Sequence, residues 1–153
     1  MIAAPVRRCF DLSLSVELHL HSTASTGERV VAGVSSGVLR LGDQVTWEAR
    51  HLGLKHRLSM TISLEDAPWM FRDEMVRGPF RRLMHDHFFE PVDVGTLMRD
   101  VFDFSSGFLP LDAMVLKPHL RRFLLLRNAA IKELAEGEGW RAYAPERAAV
   151  ADQ

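Results

Sequence analysis

The segment RLMHDHFFEP, from Arg82 to Pro91, sets two histidines two residues apart among large apolar side chains. Successive side chains of a strand point to opposite faces, so Leu83, His85, His87 and Phe89 share one face. Imidazoles on a buried face need partners, because burying an unpaired polar group costs free energy. Two carboxylates can supply them. In WMFRDEMVR, Phe71, Asp73 and Met75 share a face; in TLMRDVFDF, Thr96, Met98, Asp100, Phe102 and Phe104 do. A turn at Gly78-Pro79 puts Asp73 opposite His85, and a turn over Val92 to Gly95 puts Asp100 opposite His87. Cross-strand neighbours lie about 4.5–5.5 Å apart at Cβ, so these four residues form one polar cluster. A slip of one residue in either hairpin would turn a whole face away. His51, on the strand face of Val45, Trp47 and Ala49, and Arg127, inside an apolar helical stripe, are expected to reach the cluster from other directions.

A His–Asp cluster inside an apolar cavity supports three kinds of role. It can be structural, as satisfied core groups that fix strand register. It can be a recognition site, anchoring the carboxylate, phenol or carbonyl end of a mostly apolar ligand. It can be catalytic, with a His–Asp pair as general acid and base. His-x-His on a strand can also bind zinc, but a secure site takes three or four ligands in tetrahedral reach, and no metal or other cofactor is expected. Trp47, Met75 and Phe123 are the expected apolar walls. The expected ligand-binding set is therefore Trp47, His51, Asp73, Met75, His85, His87, Asp100, Phe123 and Arg127, with no catalytic residue assigned. His19 and His21 are expected near the surface. Arg77, Arg81 and Arg82 read as a solvated hairpin end. Cys9 is the single cysteine, so neither a disulfide nor a nucleophile is proposed.

The elements that must position these residues follow from pattern. Arg7 to Leu14 alternates loosely and reads as a first strand; Ser15 to His21 reads as its end or as a short helix. RVVAGVSSGVLR reads as a strand, with Gly33 and Gly37 hinting at bends or bulges. QVTWEARHL alternates cleanly. HRLSMTISL follows, with Leu58, Met60, Ile62 and Leu64 on one face, and the three strands carrying the cluster complete an antiparallel meander. After Pro110 the periodicity becomes helical. Asp112 is the expected N-cap, and Leu116, Leu120, Phe123, Ala130, Ile131 and Leu134 form one stripe of a helix running to Glu136. Pro118 predicts a break near Lys117. Gly137-Glu138-Gly139 ends the helix.

The chain has 153 residues, 47% hydrophobic and 25% charged, which fits one globular domain. Residues 1–136 are expected to form it, and residues 137–153 a polar, flexible tail. The formal net charge is −1, so there is no electrostatic footprint for nucleic acid. No apolar run is long enough to span a membrane or to form a signal peptide. A cytoplasmic setting is expected. A curved antiparallel sheet of about six to seven strands, wrapped around a long C-terminal helix, buries the helix stripe and leaves room between the layers for an apolar or amphipathic small molecule. The fold class is α+β.

Three stretches carry a resemblance: LGDQVTWEARHLG (Leu41 to Gly53), FRDEMVRGPFRRLMHDHFFEP (Phe71 to Pro91) and GTLMRDVFDF (Gly95 to Phe104), supported by RRFLLLRN (Arg121 to Asn128). They are similar to the START-like, or SRPBCC, superfamily of helix-grip proteins, which includes polyketide cyclases and birch-pollen-allergen relatives. The small bacterial ligand-binding branch is the most similar. The resemblance implies binding, transport or sensing of a hydrophobic or amphipathic small molecule, and only some members are enzymes. A cyclase- or aromatase-like activity using His–Asp chemistry is the alternative, beside a non-catalytic module whose cluster is structural. Pro118 departs from the family pattern. An interaction module using the outer sheet face would need an apolar patch there, for which Phe88 and Val76 are the only hint.

Overall fold

A computed structural model describes residues 1–144. Its centre is a six-stranded antiparallel sheet in sequential order: β1 (Arg29–Gly33), β2 (Gln44–His51), β3 (Leu54–Asp66), β4 (Met70–Arg77), β5 (Arg82–Val92) and β6 (Gly95–Ser105). Each strand pairs with the next in sequence, as short turns between alternating segments require. The two registers that matter for the cluster are those expected. Asp73 pairs with His85, and His87 pairs with Asp100.

The N-terminal segment departs from the sequence expectation over Arg7 to Leu14, read as a strand, while Ser15 to His21 takes the short-helix alternative. Residues Val6–Ser13 form helix α1 and Val16–Ser22 form helix α2, with no strand before β1. Local helical signals outweigh the loose alternation. The Arg7 guanidinium donates to Asp11 one helical turn on, at 3.0 Å. Ser15 caps α2 by accepting from the Leu18 backbone N–H at 3.2 Å. In α1 the burial of Cys9, Phe10 and Leu12 against the sheet sets the outcome. Phe10 is fully buried and meets the rings of Phe71 and Phe89 edge-on at 5.6 and 5.5 Å.

β1 is also shorter than the expected strand, with a bulge between Val30 and Ala32. At Gly33 the chain takes φ +81, and a Cβ there would stand 2.2 Å from the Gln44 carbonyl oxygen. Only glycine permits this approach. Residues 34–40 then leave the sheet and pair with the α1–α2 junction through an isolated bridge between Ser15 and Val38.

The C-terminal helix begins with the turn α3 (Leu109–Leu111), passes through a π turn (Asp112–Leu116), and continues as α4 (Lys117–Glu136). The break expected near Lys117 is this change of register. Pro118 has no N–H to give to the preceding turn, and a π turn just before it accommodates the ring. Asp112 lies within the helical run and is not its N-cap. Its carboxylate instead accepts from the Ser106 backbone N–H at 3.0 Å, holding the β6 exit. α1 and α2 both pack on α4. Gly139–Ala142 form a 3-10 turn with Trp140 buried under Arg8, so the start of the expected flexible tail is anchored. Residues 145–153 of that tail lie outside the described residues.

Candidate functional site

Between the sheet and the C-terminal helix lies a cavity of about 410 Å³. Its walls are mostly apolar: Val45, Trp47 and Ala49 from β2, Leu58, Met60 and Ile62 from β3, and Leu116, Leu120 and Phe123 from the helix. Leu52, Leu54 and Leu111 line it too and are exposed, which places its mouth between the β2–β3 turn and the start of the helix. Asp73, His85 and Arg127 converge on the same wall.

Behind that wall the four cluster residues interlock across strands. His85 and His87 lie with ring centroids 3.7 Å apart. His85 Nε2 is 3.0 Å from Asp100 Oδ1, and His87 Nε2 is 3.3 Å from Asp73 Oδ2. His87 Nδ1 lies 2.9 Å from Asp100 Oδ1 but off the line of a hydrogen bond. Asn128 on α4 donates to the other oxygen of Asp100. His87 is fully buried and stacks on Phe71 at 4.1 Å. Asp73 keeps 25% of its side-chain surface accessible, and that surface faces the cavity.

The electrostatics follow from this packing. Burial acts to raise the Asp100 carboxyl, but the hydrogen bond from His85, the close approach of His87 and the charges of His87 and Arg127 outweigh it, holding the group below the usual carboxylate range. Asp73 is held low in the same way: burial opposes, and His87, His85 and Arg127 prevail. Burial, then the nearby charge of His87, push the His85 imidazole below its ordinary value. Two ionised carboxylates thus face a neutral His85, which can accept a proton at a nitrogen that Asp100 does not occupy.

Of the nine expected site residues, Trp47, Asp73, His85, Phe123 and Arg127 line the cavity. His87 and Asp100 belong to the cluster but sit behind the wall. Met75 packs against the hydrophobic core and does not contribute to the wall. The side chain of His51 lies outside the described residues; its backbone ends β2, paired with Leu54. Arg127 neither snorkels to the rim nor pairs with a carboxylate. It is buried, one guanidinium nitrogen donating to the Ser13 carbonyl oxygen at 2.8 Å, while Nη1 has no partner among the described residues.

Two participants went unread in the sequence. His19 is not a surface residue of no consequence: it lines the cavity, stacks on Trp47 at 4.1 Å and pairs with Glu28 at 3.2 Å. Placing it requires knowing that α2 is a helix. Asn128 orients Asp100, and its only signal was a polar residue on the buried side of the last helix.

A curved antiparallel sheet closed by a long C-terminal helix, with two short helices at its other end, is the arrangement seen in several solved structures. Ginseng major latex-like protein 151 from Panax ginseng matches with a TM-score of 0.67 at 14% identity, over 89% of this chain and 93% of that one. The chain has the helix-grip fold. Protein CV1439 from Chromobacterium violaceum matches with a TM-score of 0.66 at 15% identity, over 90% of this chain and 93% of that one. Protein Ms6760 from Mycobacterium smegmatis matches at 22% identity and a TM-score of 0.61, over 87% and 85% of the two chains. No family model and no curated protein sequence matches the chain. Among the described residues, no helix of this helix-grip chain is long and apolar enough to cross a membrane.

Proposed function

We propose that the protein binds a hydrophobic or amphipathic small molecule in the cavity between sheet and helix, with the molecule's polar end against Asp73, His85 and Arg127. The observation that carries this reading is the unpartnered Nη1 of Arg127, a buried donor in the wall of a mostly apolar cavity of about 410 Å³. Small-molecule pockets span about 300–1,000 Å³ and combine apolar walls with a few convergent polar groups. A buried donor without a partner costs about 1–3 kcal/mol, which a ligand oxygen would relieve. The ligand class is therefore an apolar body bearing a carboxylate or carbonyl oxygen. Solved neighbours of the same fold are compatible with such a role, though function resides in the site and not in the fold.

A catalytic reading is favoured by one feature. His85 faces the cavity with Asp100 behind it, the orientation a general base requires. A cyclase- or aromatase-like step on the bound molecule would use it.

Fluorescence titration with an apolar anionic dye, followed by displacement with fatty and aromatic acids, tests the binding reading. Arg127→Met is expected to weaken acids by about tenfold and to leave their neutral, non-carbonyl analogues unchanged. Equal loss for both ligand types would remove Arg127 as the anchor.

A further inference from the structure

The two histidines present matched edges to two different carboxylates. On one edge, His87 Nε2 lies 3.3 Å from Asp73 Oδ2 and His85 Nδ1 lies 3.9 Å from Asp73 Oδ1, Asp73 being the residue that lines the cavity. On the far side, His85 Nε2 and His87 Nδ1 lie 3.0 and 2.9 Å from Asp100 Oδ1. One donor atom from each of Asp73, His85 and His87 lies within 4.8 Å of the others.

We propose that His85 Nδ1, His87 Nε2 and an Asp73 carboxylate oxygen bind a divalent transition-metal ion of the zinc type, with the remaining coordination position facing the cavity. Two imidazoles and one carboxylate are a donor set that zinc accepts, and sites with three protein ligands keep one position open. Metal–donor bonds of about 2.0–2.1 Å place tetrahedral donors about 3.3–3.4 Å apart. The separations of 3.3 Å from His87 Nε2 and 3.9 Å from His85 Nδ1 run to the two different oxygens of Asp73, and a rotation of that side chain, which is partly exposed in the cavity wall, brings one oxygen between both nitrogens.

Asp100 gives the arrangement its specificity. A ligating histidine is normally oriented by a carboxylate or carbonyl at its other ring nitrogen, which fixes the tautomer and raises ligand basicity. Here one carboxylate faces the second nitrogen of both rings, and Asn128 on α4 fixes that carboxylate. This inference stands apart from the organic ligand, since the ion would bind with the rest of the cavity filled by solvent.

The test uses the full chain stripped with chelator and titrated with cobalt(II), then zinc(II). The expected result is about one cobalt per chain, with visible absorption of the four- or five-coordinate ion that zinc abolishes. Asp73→Asn is expected to weaken binding by at least about tenfold, and Asp100→Asn, a positioning residue, by about 10–100-fold. Imidazole nitrogen NMR on the wild-type protein gives a readout that needs no variant: zinc should shift Nδ1 of His85 and Nε2 of His87. Absence of stoichiometric binding, binding that survives Asp73→Asn, or unshifted histidine nitrogens would each overturn the site.

Discussion

Replacing Asp100 with asparagine removes one charge from the cluster and keeps the size of the side chain. Its carboxylate accepts from His85 Nε2 at 3.0 Å and from Asn128, and lies 2.9 Å from His87 Nδ1, with only 11% of the side chain accessible. Hydrogen bonds to a charged group contribute about 1.5–3 kcal/mol each. Asparagine keeps one acceptor but turns an NH₂ toward another donor, so the expected loss is about 3 kcal/mol. At about 2–4 °C per kcal/mol for a chain of this size, Tm falls by about 6–12 °C at neutral pH. The pH dependence carries a second signature. Asp73 and Asp100 lie below their ordinary values, so their stabilisation is present above about pH 4 and is lost as pH falls through the folded values. His85 also lies below its ordinary value, so the unfolded chain takes up this proton first and stability falls below about pH 6.5. Wild type should therefore lose stability in two stages on acidification, and Asp100→Asn should flatten the lower one. Thermal melts by circular dichroism between about pH 3 and pH 8 read both effects. A variant melting within about 2 °C of wild type, with an unchanged acid limb, would refute the reasoning.

Phe10→Ala should cost about 3–5 kcal/mol in urea unfolding, because Phe10 fills the joint between α1 and the rings of Phe71 and Phe89. A loss below about 1.5 kcal/mol would mean that the joint collapses to fill the space. Thr96→Val should cost about 1–2 kcal/mol and loosen the N-terminus, since its buried hydroxyl donates to the Ala4 carbonyl at 2.7 Å; amide exchange at Ile2 and Thr96 reads the loosening. Ala49→Phe projects a ring into the cavity and should abolish dye binding while the protein still melts cooperatively. Retained binding in that variant would place the dye elsewhere.

Strand periodicity and turn residues carried most of the sheet. Period-two alternation in QVTWEARHL and RLMHDHFFEP survives because each strand has one buried face, and the Gly78-Pro79 and Asp93-Gly95 turns fix the registers that pair Asp73 with His85 and Asp100 with His87. Of the N-terminal helices, α1 was not legible, and α2 was legible only as one of two alternatives. α1 and α2 have only 8 and 7 residues, too few for a period to assert itself, and their burial depends on α4, at the far end of the chain. His19 and Asn128 stayed hidden because each meets its partner, Trp47 or Asp100, on a different element. Parity gave which side chains face inward but not how deep they sit. Met75 therefore passed for cavity wall though it belongs to the core, and His87 passed for a ligand contact though Phe71 and His85 cover it. The side chain of His51 remains a proposed contact.

The most direct measurement is native mass spectrometry of the protein purified from its own host, followed by denaturation and identification of what is released. Occupancy of the cavity by a small molecule is expected to give one apolar compound per chain, bearing a carboxylate or carbonyl oxygen and absent from Ala49→Phe. A wild-type chain that carries nothing, and that takes up neither the dye nor any fatty or aromatic acid on titration, would contradict the binding reading.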